Sequence, residues 1–135
     1  MLVVLDAGVF VSAAITPTGV ASRVLTAGVE GRFQYLLCPR LVGVLARPKF
    51  TRVVSDEERQ RFLAEVLAAG WDVSDPAEIP AVSRDPDDDY LLALAAEHQA
   101  ERVVTGDADL LDIADPPVPV IGLRAFLELL AVESR

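Results

Sequence analysis

Short apolar-rich runs without strict alternation constrain this chain more than any other feature. Leu2–Leu5, residues 33–37, Arg102–Thr105 and residues 118–121 are each the length of one strand. An amphipathic strand would alternate polar and apolar side chains. Runs rich in Val and Leu on consecutive positions instead mark strands covered on both faces, as in a parallel sheet. Helix-length segments separate them, and strands alternating with helices imply parallel pairing through crossover connections. The expected fold is α/β, a three-layer arrangement with a central parallel sheet of four to five strands flanked by helices.

The intervening segments carry their own start and stop signals. A loop at Thr16-Pro17-Thr18-Gly19 precedes a helix over residues 21–29, which Gly31 breaks. A short helix over residues 40–46 should stop before Pro48, because the residue preceding a proline disfavours helix. Ser55-Asp56-Glu57-Glu58 reads as a capping box opening an amphipathic helix whose Phe62, Val66 and Leu67 face the core, with Gly70 as its end. Residues 71–83, with Pro76 and Pro80, read as irregular. Helices are expected over residues 86–98, briefly within residues 106–113, and over residues 123–132. No repeat, linker or low-complexity stretch interrupts the 135 residues, so one domain spans residues 1–135.

Composition narrows the function classes. One cysteine, Cys38, allows neither an internal disulfide nor a multi-cysteine zinc site. No basic segment precedes the first apolar run, and no run reaches the eighteen or so apolar residues of a membrane span, so a cytoplasmic protein with no membrane association is expected. The net charge of −9 opposes nonspecific nucleic-acid binding. Its distribution is uneven: residues 32–61 hold seven cations (Arg32, Arg40, Arg47, Lys49, Arg52, Arg59, Arg61) against Asp56, Glu57 and Glu58. A basic stretch beside an acidic pocket suits an enzyme that steers a polyanion. A solvated helix surface accounts for the same charges equally well.

Acids gather where a parallel sheet binds ligands, beyond the carboxyl ends of its strands. Asp6 directly follows the first run, and Asp107 and Asp109 follow Arg102–Thr105. Asp85-Pro86-Asp87-Asp88-Asp89 opens the helix leading into that strand. Each has a local role available. Asp6 can cap a turn, and Asp85 with Pro86 is good helix-start chemistry. Four acids in five positions exceed what capping requires, and their mutual repulsion is relieved by a cation. Oxygen-only donors without His or Cys select a hard ion, Mg²⁺ or Mn²⁺, which can activate water for attack on phosphorus.

Other chemistries find less support. Ser12, Ser83 and Thr105 have no histidine near in sequence, and His98, the sole histidine, falls at a helix end. No glycine-rich phosphate loop is present. A haloacid-dehalogenase phosphatase needs a second aspartate two residues after the first, where Gly8 stands. A phospho-receiver needs a lysine late in the chain, and the only lysine is Lys49.

Val3-Val4-Leu5-Asp6-Ala7-Gly8-Val9-Phe10 resembles the opening of PIN domains, whose first strand ends in Asp-Thr-Asn. Val44-Leu45-Ala46-Arg47-Pro48-Lys49-Phe50, Arg84-Asp85-Pro86-Asp87-Asp88-Asp89 and Val103-Val104-Thr105-Gly106-Asp107-Ala108-Asp109 resemble three further blocks of a PIN subfamily. That subfamily is similar to VapC toxins of toxin–antitoxin systems. The resemblance implies a metal-dependent endoribonuclease, a homodimer, an RNA substrate and an inhibitory antitoxin protein. Position by position, Asp6 and Asp107 match metal-binding catalytic aspartates. A third falls on Asp88 or Asp89, with helix phase favouring Asp88, and Asp109 matches an outer acid.

Two departures accompany the resemblance. Asp6-Ala7-Gly8 lacks the hydroxyl and amide of Asp-Thr-Asn. The family glutamate on the helix after the second strand has no counterpart in Pro39-Arg40-Leu41-Val42-Gly43-Val44-Leu45, and that helix reads about one turn short. Gly43 is the position at which restoring an acid is expected to help, modestly. The alternative implied is a catalytically degenerate PIN fold that binds or regulates.

Overall fold

The computed structural model describes residues 1–53 and 56–133. Five parallel strands, β1 (Leu2–Leu5), β2 (Gln34–Leu37), β3 (Trp71–Asp72), β4 (Arg102–Thr105) and β5 (Val120–Gly122), lie in the order β3-β2-β1-β4-β5. The helices are α1 (Ala7–Ile15), α2 (Val20–Val29), α3 (Pro39–Leu45), α4 (Pro48–Val53), α5 (Glu57–Ala69), α6 (Pro86–Glu97), α7 (Ala108–Leu111) and α8 (Leu123–Glu133). The chain steps outward from β1 through β2 to β3, then crosses back to β4. Right-handed crossovers put helices on both faces of a sheet built this way, giving three layers.

The central strands are buried as their composition demands. Val3, Val4 and Leu5 of β1 and Val103 and Val104 of β4 have no exposed surface. Register sets Leu5 opposite Val104, so β1 and β4 end side by side. The reversal of strand order falls between these two strands, which is where open parallel sheets form a ligand crevice.

Three elements depart from expectation. Helix α1 begins directly after Asp6, with no intervening loop. Its run Ala-Gly-Val-Phe-Val-Ser-Ala-Ala-Ile has no charged face to reveal a helical period, although Val9, Phe10, Ala13 and Ala14 form its buried side. Helix α3 ends at Leu45, ahead of Pro48 as expected, but Pro48 then starts a further helix, α4, because proline is well accommodated in a first turn. Residues 71 and 72 form a parallel edge strand beside β2, pairing Leu36 with Trp71 and Leu37 with Asp72.

Gly70 explains how so short a strand docks. A Cβ there would stand 2.4 Å from Leu37 Cδ1 and 3.0 Å from Tyr35 Cε2, so only glycine permits the approach. Beneath it the Tyr35 hydroxyl donates to the carbonyl of Val66, tying β2 to α5. Val66 is fully buried, and Phe62 and Leu67 pack partly buried against the core as expected. Ser55 of the expected capping box lies outside the described residues. Asp56 is the N-cap of α5, accepting from Glu58 N–H at 2.8 Å and Arg59 N–H at 3.3 Å.

Residues 73–85 form a long connection strapped to α6 and α3. Asp89 Oδ1 accepts from the N–H groups of Val82 (3.1 Å) and Ser83 (2.7 Å) and from the Ser83 hydroxyl (2.9 Å). Glu97 accepts from Ala77 N–H, Asp75 accepts from Arg40 N–H, and the His98 ring contacts the Ser74 carbonyl. His98 therefore serves this strap.

Candidate active site: an acidic cleft at the strand ends

Asp6 and Asp107 each leave a central strand and cap the helix that follows. Asp6 Oδ1 accepts from Gly8 N–H at 2.7 Å, and Asp107 Oδ1 accepts from Asp109 N–H at 2.9 Å. The capping role and the clustering role coexist, because a carboxylate has lone pairs beyond the one a cap uses. Thr105, with no exposed surface, joins the two. Its hydroxyl donates to Asp6 Oδ2 and accepts from Asp107 N–H at 3.0 Å. With no histidine beside it, Thr105 acts as a tie: it links the Asp6 carboxylate to the backbone of Asp107 across β1 and β4.

A cleft of about 270 Å³ lies over these strand ends, lined by Asp6, Asp88, Asp107, Asp85 and Asp87 on its acidic side. Asp88 also borders an adjoining cleft of about 550 Å³ with Asp85, Asp109, Asp112 and Arg84. It is 8% exposed. Burial first, then repulsion from Asp85, Asp107, Asp6 and Asp109, pushes its carboxyl up to about 6. That combination means the surrounding acids face Asp88 closely enough to be felt.

Of the expected site residues, Asp6, Asp88 and Asp107 share the first cleft, and Asp109 opens onto the second. Asp89 lines neither. It is 6% exposed and faces Val82 and Ser83; burial alone would raise its carboxyl, but hydrogen bonds from Ser83 and Val82 bring it below the ordinary value. Asp89, expected among the ligands, turns away from both clefts: consecutive helical positions point about 100° apart, and its Oδ1 serves the strap.

Helix α3 turns Arg40 and Val44, at i and i+4, to the cleft, and Arg47 beyond its end lines it too. Gly43 is exposed, does not line the cleft, and a Cβ added there would meet nothing within 4 Å. An acid at position 43 would leave the helix from a face other than the one that lines the cleft. The position presented to the carboxylates is Arg40, whose charge is opposite to that expected on this helix. At Gly8 an added Cβ would stand 3.4 Å from Asp6 Oδ1, so the amide missing there would have bordered that carboxylate.

The donor set suits a hard divalent ion: oxygen alone, partly desolvated, with repulsion a cation would relieve. Among the described residues no group of three acids is gathered tightly enough to hold an ion unaided. The arrangement fits an ion bound through one or two carboxylates with water completing its shell, the usual habit of Mg²⁺.

The PIN-domain family pattern matches residues 2–109. An uncharacterized protein of Methanocaldococcus jannaschii is 30% identical over 120 residues, covering 84% of this chain and 75% of that protein. In fold the chain is similar to a PilT N-terminus domain protein of Sulfolobus solfataricus (TM-score 0.61, 14% identity, 96% of this chain and 93% of that one). It is likewise similar to VapBC2 of Rickettsia felis, solved with a DNA fragment from its promoter (TM-score 0.58, 14% identity, 90% and 98%). A protein of Pyrobaculum aerophilum is similar too (TM-score 0.58, 16% identity, 98% and 90%). With the family pattern covering most of the chain and its acids meeting at the strand-order reversal, the protein belongs to the PIN domain family.

Proposed function

We propose that this chain is a Mg²⁺- or Mn²⁺-dependent endoribonuclease, the toxin of a toxin–antitoxin pair, active as a homodimer and restrained by an antitoxin protein. The observation that carries the reading is the convergence of Asp6, Asp88 and Asp107 on one cleft where the strand order reverses. A bound divalent ion would supply charge neutralisation for the phosphodiester and a more acidic water. Asp6 and Asp107, held by Thr105, would orient that ion, and Asp88, the least exposed of the three, would close the inner wall. The fold likeness to VapBC2 supports an antitoxin partner, and residues 32–61 supply cations for a polyanionic substrate.

A second reading, a degenerate PIN fold that binds without cutting, has its own support. Arg40 stands on the cleft where an acid was expected, and no tight three-acid group is formed among the described residues. Under the nuclease reading, the absent acid implies weak activity, better with Mn²⁺ than with Mg²⁺, which gives up its waters reluctantly. The deciding experiment is cleavage of a mixed-sequence RNA by wild type and Asp6→Asn with each metal. Cleavage that needs metal and disappears in Asp6→Asn supports the nuclease. Metal-dependent RNA binding without cleavage supports the binding module.

A further inference from the structure

Arg40 occupies an unusual place. It is the second residue of α3, at the positive end of a helix, where a cation is disfavoured and an acid would be stabilised. Its guanidinium nevertheless lies over the Tyr90 ring, 4.3 Å from the centroid, and donates to Asp87 Oδ1 at 2.9 Å. Tyr90 is 4% exposed, so the platform beneath the guanidinium is part of the packed core. A planar group stacked on a fixed ring is aimed before any ligand arrives.

The single ion pair does not exhaust the group. A guanidinium carries five N–H donors, and among the described residues its one acceptor is Asp87. The side chains of that pair are 39% and 80% exposed, and such surface pairs contribute little and exchange readily. Arg47, in the link between α3 and α4, lines the same cleft, and among the described residues these two are the cations that border it. Asp6, Asp85, Asp87, Asp88 and Asp107 supply the rest of its charge.

Resting on the nuclease reading above, we infer that Arg40 is a substrate-binding residue that grips a backbone phosphate of single-stranded RNA beside the acidic cleft, leaving Asp87 to do so. The planar fork matches a phosphate bidentately, as a lysine would not. It holds the chain by a phosphate on the α3 side while the scissile group lies over Asp6, Asp88 and Asp107. The acidic wall alone would repel a polyanion. Arg40 counters that repulsion with a cationic side chain that cannot itself ligate a metal ion.

The test is fluorescence anisotropy of a labelled single-stranded RNA over a range of KCl concentrations. The full chain is used, in EDTA and again with Ca²⁺. Wild type, Arg40→Gln, Arg40→Lys and Arg124→Gln are compared; Arg124, on α8, is exposed and lines neither acidic cleft. Arg40→Gln should bind roughly tenfold more weakly at low salt. The slope of log K against log salt should fall in magnitude by about 0.7, the release expected for one phosphate contact on a single strand. Arg40→Lys should keep the slope with a smaller loss of affinity, and Arg124→Gln should match wild type. Equal affinity and slope in wild type and Arg40→Gln would overturn the inference. So would weaker binding with an unchanged slope and a lower melting temperature in both Arg40 variants, which would assign Arg40 to pinning α3 on Tyr90. Wild type that binds no RNA under either condition defeats the nuclease reading itself, a result distinct from an Arg40 variant that binds like wild type.

Discussion

Thr105 and Asp6 meet across the seam of β4 and β1, the buried hydroxyl donating to Asp6 Oδ2 while accepting the N–H of Asp107. One side chain thereby ties the Asp6 carboxylate to the backbone of Asp107, at the other end of the chain. Nothing in the run Val103-Val104-Thr105 distinguishes this threonine from an ordinary β-branched strand residue.

Replacing it isolates the polar contribution. Thr105→Val keeps shape and β propensity but removes both hydrogen bonds, leaving Asp6 and Asp107 N–H short of a partner. Stability should fall by about 1–2 kcal/mol, and the response to divalent metal should weaken because the two acids lose their common anchor. Thr105→Ser should retain the metal response. Urea denaturation with and without Mn²⁺ measures both; a valine variant equal to wild type in each would remove Thr105 from the site.

Asp88 makes stability depend on pH. Its carboxyl is raised from 3.8 to about 6 in the folded chain, so between those values the folded state binds more protons than the unfolded state. Stability contributed by the protonated form is therefore present below about pH 4 and lost as pH rises through about 6. The loss amounts to at most about 3 kcal/mol. In EDTA, Asp88→Asn should be more stable than wild type at neutral pH and no more stable near pH 4. A wild type whose stability is flat or rising across this window, with no difference from Asp88→Asn, would contradict the assigned repulsion.

Asp88 and Asp89 should separate cleanly under metal titration. Mg²⁺ or Mn²⁺ at a concentration a hundredfold above its dissociation constant adds about 2.7 kcal/mol to the stability of a fold that alone binds it. Asp6→Asn and Asp88→Asn should abolish the rise in melting temperature. Asp89→Ala should lower the starting melting temperature, by losing the bonds to Val82 and Ser83, yet keep the rise. An Asp89 variant that loses the metal response while Asp88→Asn keeps it would reverse the assignment.

Position 40, rather than 43, should control metal affinity from α3. Arg40→Glu removes the cation and offers a carboxylate to the cleft, so it should lower the metal-free melting temperature and enlarge the shift with Mn²⁺. Gly43→Glu should leave that shift as it is in wild type, because its side chain enters open space. Thermal melts at several metal concentrations decide between the two, and a larger shift from Gly43→Glu would refute the geometry given for α3.

Much of this protein was legible locally. The aliphatic runs of β1, β2, β4 and β5, the helix-start chemistry at Asp85-Pro86 and the acids trailing two strands are short-range patterns, each set by propensity and burial within a few residues. Three things depended on the assembled fold. The two-residue strand β3 exists because Gly70 lets it approach Leu37, a contact invisible from its own exposed Trp71 and Asp72. The choice of Asp88 over Asp89 for the cleft is completed by the strap at Val82 and Ser83, which claims the second carboxylate. The cleft face of α3 is set by how that helix rests on Tyr90 and the strand ends, so position 40 meets the acids and position 43 meets solvent. The physical reason is common to all three: hydropathy and capping act between near neighbours along the chain, whereas which side chains share a cleft depends on strand order and helix rotation, which only packing across the whole domain determines.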